Sequence, residues 1–557
     1  MPQLVIIAFA TGLFTGFVIL LFRAAVDVTL RILLGDSEAF EVLAYAERLA
    51  LPIAGALFIG IALNWMAPSA TRVGVVHVME RLSRHQGFLP LRNALVQFFG
   101  GIVALISGQS GGREGPAIHL GAASASILGQ AFKLPNNSMR TLVACGTAAA
   151  IASSFNTPVA GVIFAMEVVM MEYTIGSFIP IIVAAVTSTF LTHYFLGNEA
   201  AFTVAPIEIR SLLEIPFIML SGVVIGCIAT AFIMLTQQFA RLSEWPFWGR
   251  ALLAGTVTGL AAIIAPEVMG VGYDTVSAAM LGELTIGTLI GVVVLKSLTN
   301  AAAVGLGLPV GLIGPTLVVG ACVGGIMGFI GSQFQPEEAA SVALYVMLGM
   351  SAMMAAVLQA PLAALMAVLE LTMNPNVILP AMLIIVVATL VTGEVFKQKS
   401  VYLSMLATLG LQYPPNAVTL HLQRAGVTAI MNRNVARLAS IVKRQFAESA
   451  LANNPRWILV EREPGDLRYL LNAADLRIFL DELLLDESGA EEAEVHLLEL
   501  PGMRKDVARI DARATVEEAQ RMLNSESVEA LCVQRMNAPA ILGVITQEDI
   551  DNYREVS

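Results

Sequence analysis

Charge is scarce in this sequence of 557 residues: Asp, Glu, Lys and Arg make up 13% of it, about half the share of an ordinary globular domain. Such a chain cannot cover its surface with charge, which excludes a soluble secreted enzyme and a disordered polymer alike. Cysteine is equally thin. Cys145, Cys227, Cys322 and Cys532 have neither pairing nor metal-ligand spacing, so a disulfide scaffold and a zinc site are excluded. Basic residues total 32 against 43 acidic ones, a net charge of −11, and no nucleic acid is expected as a partner. No His-Glu-x-x-His pair is present, and His77, His119 and His193 stand apart in sequence, so no enzyme is expected.

What the chain has in quantity is apolar surface. Apolar residues reach 56% and the mean hydropathy is +0.75. The few charges are unevenly placed, with 36 in residues 1–410 and 39 in the remaining 147. The net charge divides as −4 and −7. A membrane part over 1–410 is therefore followed by a water-facing part over 416–557. The uncharged opening stretch runs to Phe22 without a basic start, which predicts a retained membrane helix rather than a signal peptide. Some later apolar stretches approach the ~20 residues that cross a bilayer, and others are too short. Short segments broken by Gly and Pro predict helices that stop midway, which are tolerated only where their ends are buried or line a polar route. That pattern favours a transporter or channel.

An internal repeat supports this. Pro116-Ala-Ile-His-Leu-Gly121-Ala122 matches Pro315-Thr-Leu-Val-Val-Gly320-Ala321 at an offset of 199. Asn156-Thr-Pro158-Val-Ala160, with Glu167 nine beyond its proline, matches Gln359-Ala-Pro361-Leu-Ala363, with Glu370 nine beyond its own. Two matches at nearly one offset predict duplicated halves, approximately 1–205 and 206–410, with a binding site between them.

The segment Ser107-Gly-Gln-Ser-Gly-Gly-Arg-Glu-Gly-Pro-Ala-Ile-His119 places glycines and Glu114 before Pro116, at the predicted first turn of a helix. The exposed N–H groups of a helix start form an anion site. Glu114 reads either as a first-turn carboxylate that only complements the helix dipole or, in a membrane domain, as a functional ionisable group that occupies the anion site and leaves it. Its counterpart, Gly305-Leu-Gly-Leu-Pro-Val-Gly311-Leu-Ile-Gly-Pro315, carries no charge. It reads as a second helix start aimed at the same anion, or as a turn allowing close packing.

These residues resemble the CLC family of chloride channels and chloride/proton exchangers. The Gly-Arg-Glu-Gly-Pro signature stands at Gly112–Pro116, a second signature stands at Gly311–Pro315 with Ile313 in place of phenylalanine, and the family's pore tyrosine corresponds to Tyr402. The resemblance implies a mostly α polytopic membrane fold of inverted-repeat architecture and an anion, chloride or a relative, as cargo. It implies a voltage-gated channel or an antiporter as activity and a homodimer in the cell (inner) membrane. It makes Glu114 the gate and places the anion against the backbone amides of Leu312 and Ile313 and the Tyr402 hydroxyl, with Val73, Gly74, Arg113 and Gly115 around it. No cofactor is required.

Two departures qualify it. Near Arg72-Val-Gly-Val-Val76, Val73 stands where the family has an anion-binding serine, which leaves anion preference open; Ser69 is the nearby hydroxyl able to compensate. Glu167 is followed by Val168, where exchangers carry a second, proton-transferring glutamate. A channel-like, uncoupled pathway is thus favoured over a chloride/proton antiporter, and Glu167 reads as a structural carboxylate. A CBS-linked divalent-cation transporter is the expectation of a different class, with Glu114, Glu167 and Glu370 as the available oxygens.

The tail predicts an α/β domain of two similar units, approximately 416–485 and 500–557. The first opens at Val427-Thr-Ala-Ile-Met431, and the second closes at Gly543-Val-Ile-Thr-Gln-Glu-Asp549-Ile550. This resembles a tandem CBS pair, cytoplasmic and regulatory in CLC proteins. The resemblance implies an adenine-nucleotide site at Thr546 and Asp549, whose competing role is a reciprocal helix cap. Asn472 replaces the threonine in the first unit, and the acidic run Asp481–Glu499 reads as a solvated linker.

Overall fold

The computed structural model describes residues 2–36, 38–67, 69–197, 202, 214–334, 341–411, 417–461, 467–485, 494–535 and 540–555. Two units emerge, one of Met1–Phe132 with Met139–Pro414 and one of Lys133–Ser138 with Pro415–Ser557.

The first unit is helical. Eight helices among the described residues are long and apolar enough to cross a membrane, from Gln3–Leu34 near the N-terminus to Pro375–Val395. Shorter apolar helices lie between them, including Leu91–Ile106, Pro158–Met170, Val342–Leu358 and Pro361–Thr372. The Ile313–Phe334 helix is buried through its first three turns and the Val342–Leu358 helix from Leu344 onward, whereas Pro2–Leu34 carries Ile6, Phe17 and Ile32 on an exposed face. Apolar side chains turned outward suit hydrocarbon, since no water-driven core is needed there.

The duplicated halves are visible in the backbone. Asn156 and Gln359 both take positive φ, 61° and 51°, immediately before the helices that start at Pro158 and Pro361. Met171 and Met373 take φ of 54° and 51° just past the ends of those segments. Gly121 packs against the Gly146 carbonyl and Gly320 against that of Gly349, so the same glycine contact recurs in each half. Glu167 and Glu370 complete the symmetry by exchange. The Glu167 carboxylate accepts from Leu362 N at 3.3 Å and Ala363 N at 2.7 Å. The Glu370 carboxylate accepts from Val159 N at 3.0 Å and Ala160 N at 2.8 Å. Each carboxylate therefore caps the other half's broken helix, satisfying N–H groups that have no intrahelical partner.

The second unit holds a six-stranded sheet. Its strands are β1 (Val435–Ala439), β3 (Trp457–Glu461), β4 (Leu467–Asn472), β6 (Lys505–Asp511), β7 (Ala530–Gln534) and β8 (Ile541–Thr546), in the order β1-β3-β4-β6-β7-β8. A small antiparallel pair joins β2 (Ile441–Lys443) to β5 (Glu494–His496). Within each half of the sheet a parallel pair is extended by an antiparallel strand: β1 with β3 then β4, and β6 with β7 then β8. Helices Arg444–Leu451 and Val516–Glu526 connect the parallel pairs, as a parallel connection requires. Two details differ from expectation. Val427, placed by sequence in the first half, packs with Leu422 into the core of the second, beside Ile510, Val516 and Ile545; its N–H donates to the Ala514 carbonyl at 2.9 Å. The acidic run is not wholly linker, since its start finishes the Ala473–Leu485 helix and its end forms β5. Residues 486–493 of that run lie outside the described residues.

Candidate functional site

Two glycine turns meet back to back in the first unit. Gly112 N donates to Gly311 O at 2.9 Å, and Gly311 N returns a bond to Gly112 O at 2.7 Å. Neither turn admits a larger residue at the crossing. A Cβ on Gly115 would lie 2.7 Å from Gly311 Cα, and one on Gly311 would lie 2.5 Å from Gly115 N. The Asn300 side-chain amide holds both turns, donating to Ser110 O at 2.9 Å and Gly311 O at 3.1 Å. From this crossing the helices Glu114–Ala131 and Ile313–Phe334 depart, each beginning with N–H groups that lack an intrahelical acceptor.

Glu114 sits at the crossing, fully buried. One carboxylate oxygen accepts from Gly314 N at 3.2 Å and the other from the Tyr273 hydroxyl at 2.9 Å. The carboxylate of one half thus rests on the helix start of the other, where an anion is favoured. Tyr273 is held in turn by the loop before it. Lys296, fully buried, donates to the carbonyls of Glu267, Val268 and Gly270 at 3.1, 3.4 and 3.4 Å. The Glu38 carboxylate accepts from Tyr273 N at 2.8 Å and Asp274 N at 3.2 Å.

On the other side of the crossing opens a cavity of about 380 Å³. Val73, Gly74, Gly115, Leu312 and Tyr402 all line it. Tyr402 is almost wholly buried, and its hydroxyl finds no hydrogen-bond partner among the described residues. An unpaired buried hydroxyl is costly, so a cavity that brings it a ligand offsets that cost. Arg72 and Arg250 supply positive charge to the wall, with Glu80 paired to Arg72 at 2.5 Å. The loop at Val73 is firmly set: Asn93 donates to Ser69 O and Arg72 O, both at 2.8 Å, while Gly74, at φ 78°, donates to Gln97 Oε1 at 2.8 Å. Gln97 also donates to Pro309 O at 3.0 Å, so one amide spans both walls.

Several expected residues lie elsewhere. Arg113 does not line the cavity; its guanidinium reaches Asp27 at 3.4 Å and lies over the Tyr273 ring at 5.8 Å. Ile313, expected to contact the anion through its backbone amide, is the first residue of the Ile313–Phe334 helix, and it also lines a separate small apolar pocket with Ile151 and Phe164. Ser69 is exposed and outside the lining, so it does not replace the missing serine. Val168 is buried in a π-helical segment, Ala165–Met170. His77 and His119 are not isolated. Their rings meet, Nδ1 to Nε2, at 2.9 Å. Gly108-Gln-Ser-Gly-Gly112 has the spacing of a nucleophile turn, but Ser110 lies between two helices rather than at a strand end. No group of three or more His, Cys, Asp or Glu suited to a metal occurs among the described residues. In the second unit, the Asp549 carboxylate accepts from both the N–H and the hydroxyl of Thr546, each at 2.8 Å, so both bonds run from Thr546 to Asp549 across the start of the last helix.

Sequence reasoning missed Tyr273, Lys296, Asn300 and Gln97. Lys296 carried a usable signal, because an ionisable residue deep in an apolar stretch is functional by default. Tyr273 carried none, as its reach to Glu114 exists only in three dimensions.

Duplicated halves, paired broken helices and a buried carboxylate over a partly basic cavity define an integral membrane transport protein for anions. Residues 55–393 match the family described as "Voltage gated chloride channel", and the chain belongs to that CLC family. It is 32% identical over 375 residues to "Putative chloride channel protein ClcB-like" of Ralstonia nicotianae, covering 66% of this chain and 87% of that one. It is 28% identical over 365 residues to "H(+)/Cl(-) exchange transporter ClcA" of Yersinia pestis, covering 64% and 76%. A solved eukaryotic CLC transporter shares the fold at a TM-score of 0.62 and 17% identity, covering 98% of both chains. CLC-type anion transport is therefore the activity class, and the family's members are transporters or channels rather than enzymes.

Proposed function

We propose that this chain is a chloride pathway of channel-like, uncoupled type with Glu114 as its gate. The observation that carries this is the Glu114 carboxylate lying on Gly314 N, at the start of a helix whose preceding residue, Leu312, lines the cavity together with Tyr402. A carboxylate there competes with an anion for the same helix start; when protonated or displaced, it yields the site. Val168 supports uncoupled passage because valine cannot carry a proton, and Glu167 is engaged with Leu362 and Ala363 as a cap. The resemblance supports a homodimer with one pathway per subunit, in the inner membrane. It also supports a C-terminal unit that is a cytoplasmic, regulatory CBS pair; the two bonds from Thr546 to Asp549 favour a helix cap there over the nucleotide site that the resemblance implies.

The test is efflux from liposomes loaded with chloride, with a pH electrode outside. Rapid chloride efflux without proton movement is expected, and Glu114→Gln is expected to leave the path open and indifferent to pH. The likeness to a ClcA exchanger favours a second reading, proton-coupled exchange. Proton uptake that accompanies efflux and stops in Glu114→Gln would establish that reading instead.

A further inference from the structure

His77 lies in the first turn of the Gly74–Arg84 helix and lines the cavity, while His119 is fully buried on the Glu114–Ala131 helix. A bond between two neutral imidazoles needs one N–H and one lone pair, so the pair has two tautomeric arrangements. The surroundings choose between them. His119 Nδ1 is buried with no partner among the described residues. A bare acceptor is tolerated in such a place more readily than an orphaned N–H. His119 then carries its proton on Nε2 and donates it to His77 Nδ1. That forces the His77 proton onto Nε2, the ring nitrogen left to the cavity.

We propose that His77 is an anion ligand of this cavity, its Nε2–H donating to a small monovalent anion, and that His119 is the positioning residue that sets its tautomer. The assignment rests on the reading of the cavity as the chloride pathway. One further observation points to a ligand there. Tyr402 presents a buried, unpartnered hydroxyl to the same cavity. A neutral imidazole donor suits the task, because a full charge held against the ion would oppose its departure.

Chloride titration of the full-length protein in detergent, followed by calorimetry, tests this. His77→Leu is expected to weaken chloride roughly tenfold, the loss of one hydrogen bond to a charged ligand. His77→Gln, which keeps an amide donor, is expected to stay within about threefold of wild type. Histidine ¹⁵N spectra supply a readout independent of folding in the variants. In wild-type protein, His77 is expected to be protonated on Nε2, with that signal shifting as chloride is added. His119→Leu is expected to mix the His77 tautomers. Unchanged affinity in folded His77→Leu, an Nδ1-protonated His77, or an Nε2 signal indifferent to chloride overturns the assignment alone. Absence of chloride binding by the wild-type protein overturns the reading of the cavity along with it.

Discussion

The two halves of the membrane unit share a backbone plan but divide the chemistry unequally. Both begin a helix at a glycine turn, and both cap the other's second helix with a glutamate. Only the first half places a carboxylate at the crossing; the second offers bare N–H groups to receive it. Symmetry builds the scaffold, and it is breached at Glu114. One half supplies a carboxylate and the other its seat.

That comparison can be broken most forcefully at the seat. Gly311→Ala puts a Cβ 2.5 Å from Gly115 N, a backbone atom that cannot step aside. A loss of about 3 kcal/mol or more in thermal stability is expected, together with loss of chloride flux. Survival of both would mean the turns are not locked. Next come the exchanged caps. Glu167→Gln and Glu370→Gln each remove the charge from a pair of hydrogen bonds and should cost about 1–2 kcal/mol apiece. Unequal melting shifts would show that one glutamate does more than cap. At the proposed gate, Glu114→Gln is expected to raise chloride efflux at neutral pH roughly tenfold; Gly314, its neighbour across the crossing, has no side chain to remove. Tyr402→Phe should weaken chloride binding by about 0.5–1.5 kcal/mol without altering the melting temperature. An unaltered affinity would leave Tyr402 as a packing residue only.

The smallest expected effect near neutrality concerns the C-terminal unit. Burial pushes the Cys532 thiol from its ordinary 9.0 up to about 11. Because the folded state holds this proton more tightly than the unfolded state, stability is intact below pH 9 and declines as pH rises toward 11. Urea unfolding of the full-length protein at pH 8 and pH 10 checks the sign through the C-terminal transition. Alkylation of Cys532 should await unfolding at pH 8.

The scaffold was readable because it leaves periodic marks. Glycine, proline and glutamate recur at offsets of 199 and 203, and each has a local reason that sequence displays: a turn, a helix start, a cap. Glu114 was readable for a related cause, a carboxylate out of place in apolar surroundings. Tyr273, Gln97 and Asn300 left no such mark, since polar residues on helices and loops are common and their partners lie far away in the chain. The histidines show the limit well. His77 and His119 are 42 residues apart with no shared motif, and only the packing of two helices makes them a pair. Val427 misled for the opposite reason. Its position in the chain suggested one half of the sheet, and its burial went to the other.

The exchanged caps have a consequence for how this chain is made. Glu167 leaves the ribosome 195 residues before the Leu362 N–H that it will bind, and the Val159 N–H precedes Glu370 by 211. At about 5–20 residues per second, the first half spends on the order of ten seconds or more in the bilayer with its cap unmade. Until the second half arrives, a carboxylate and a bare helix start are both stranded at membrane depth. The early half is thus a guest of the insertion machinery rather than a finished domain, and a truncation after residue 205 would deliver a target for membrane proteolysis.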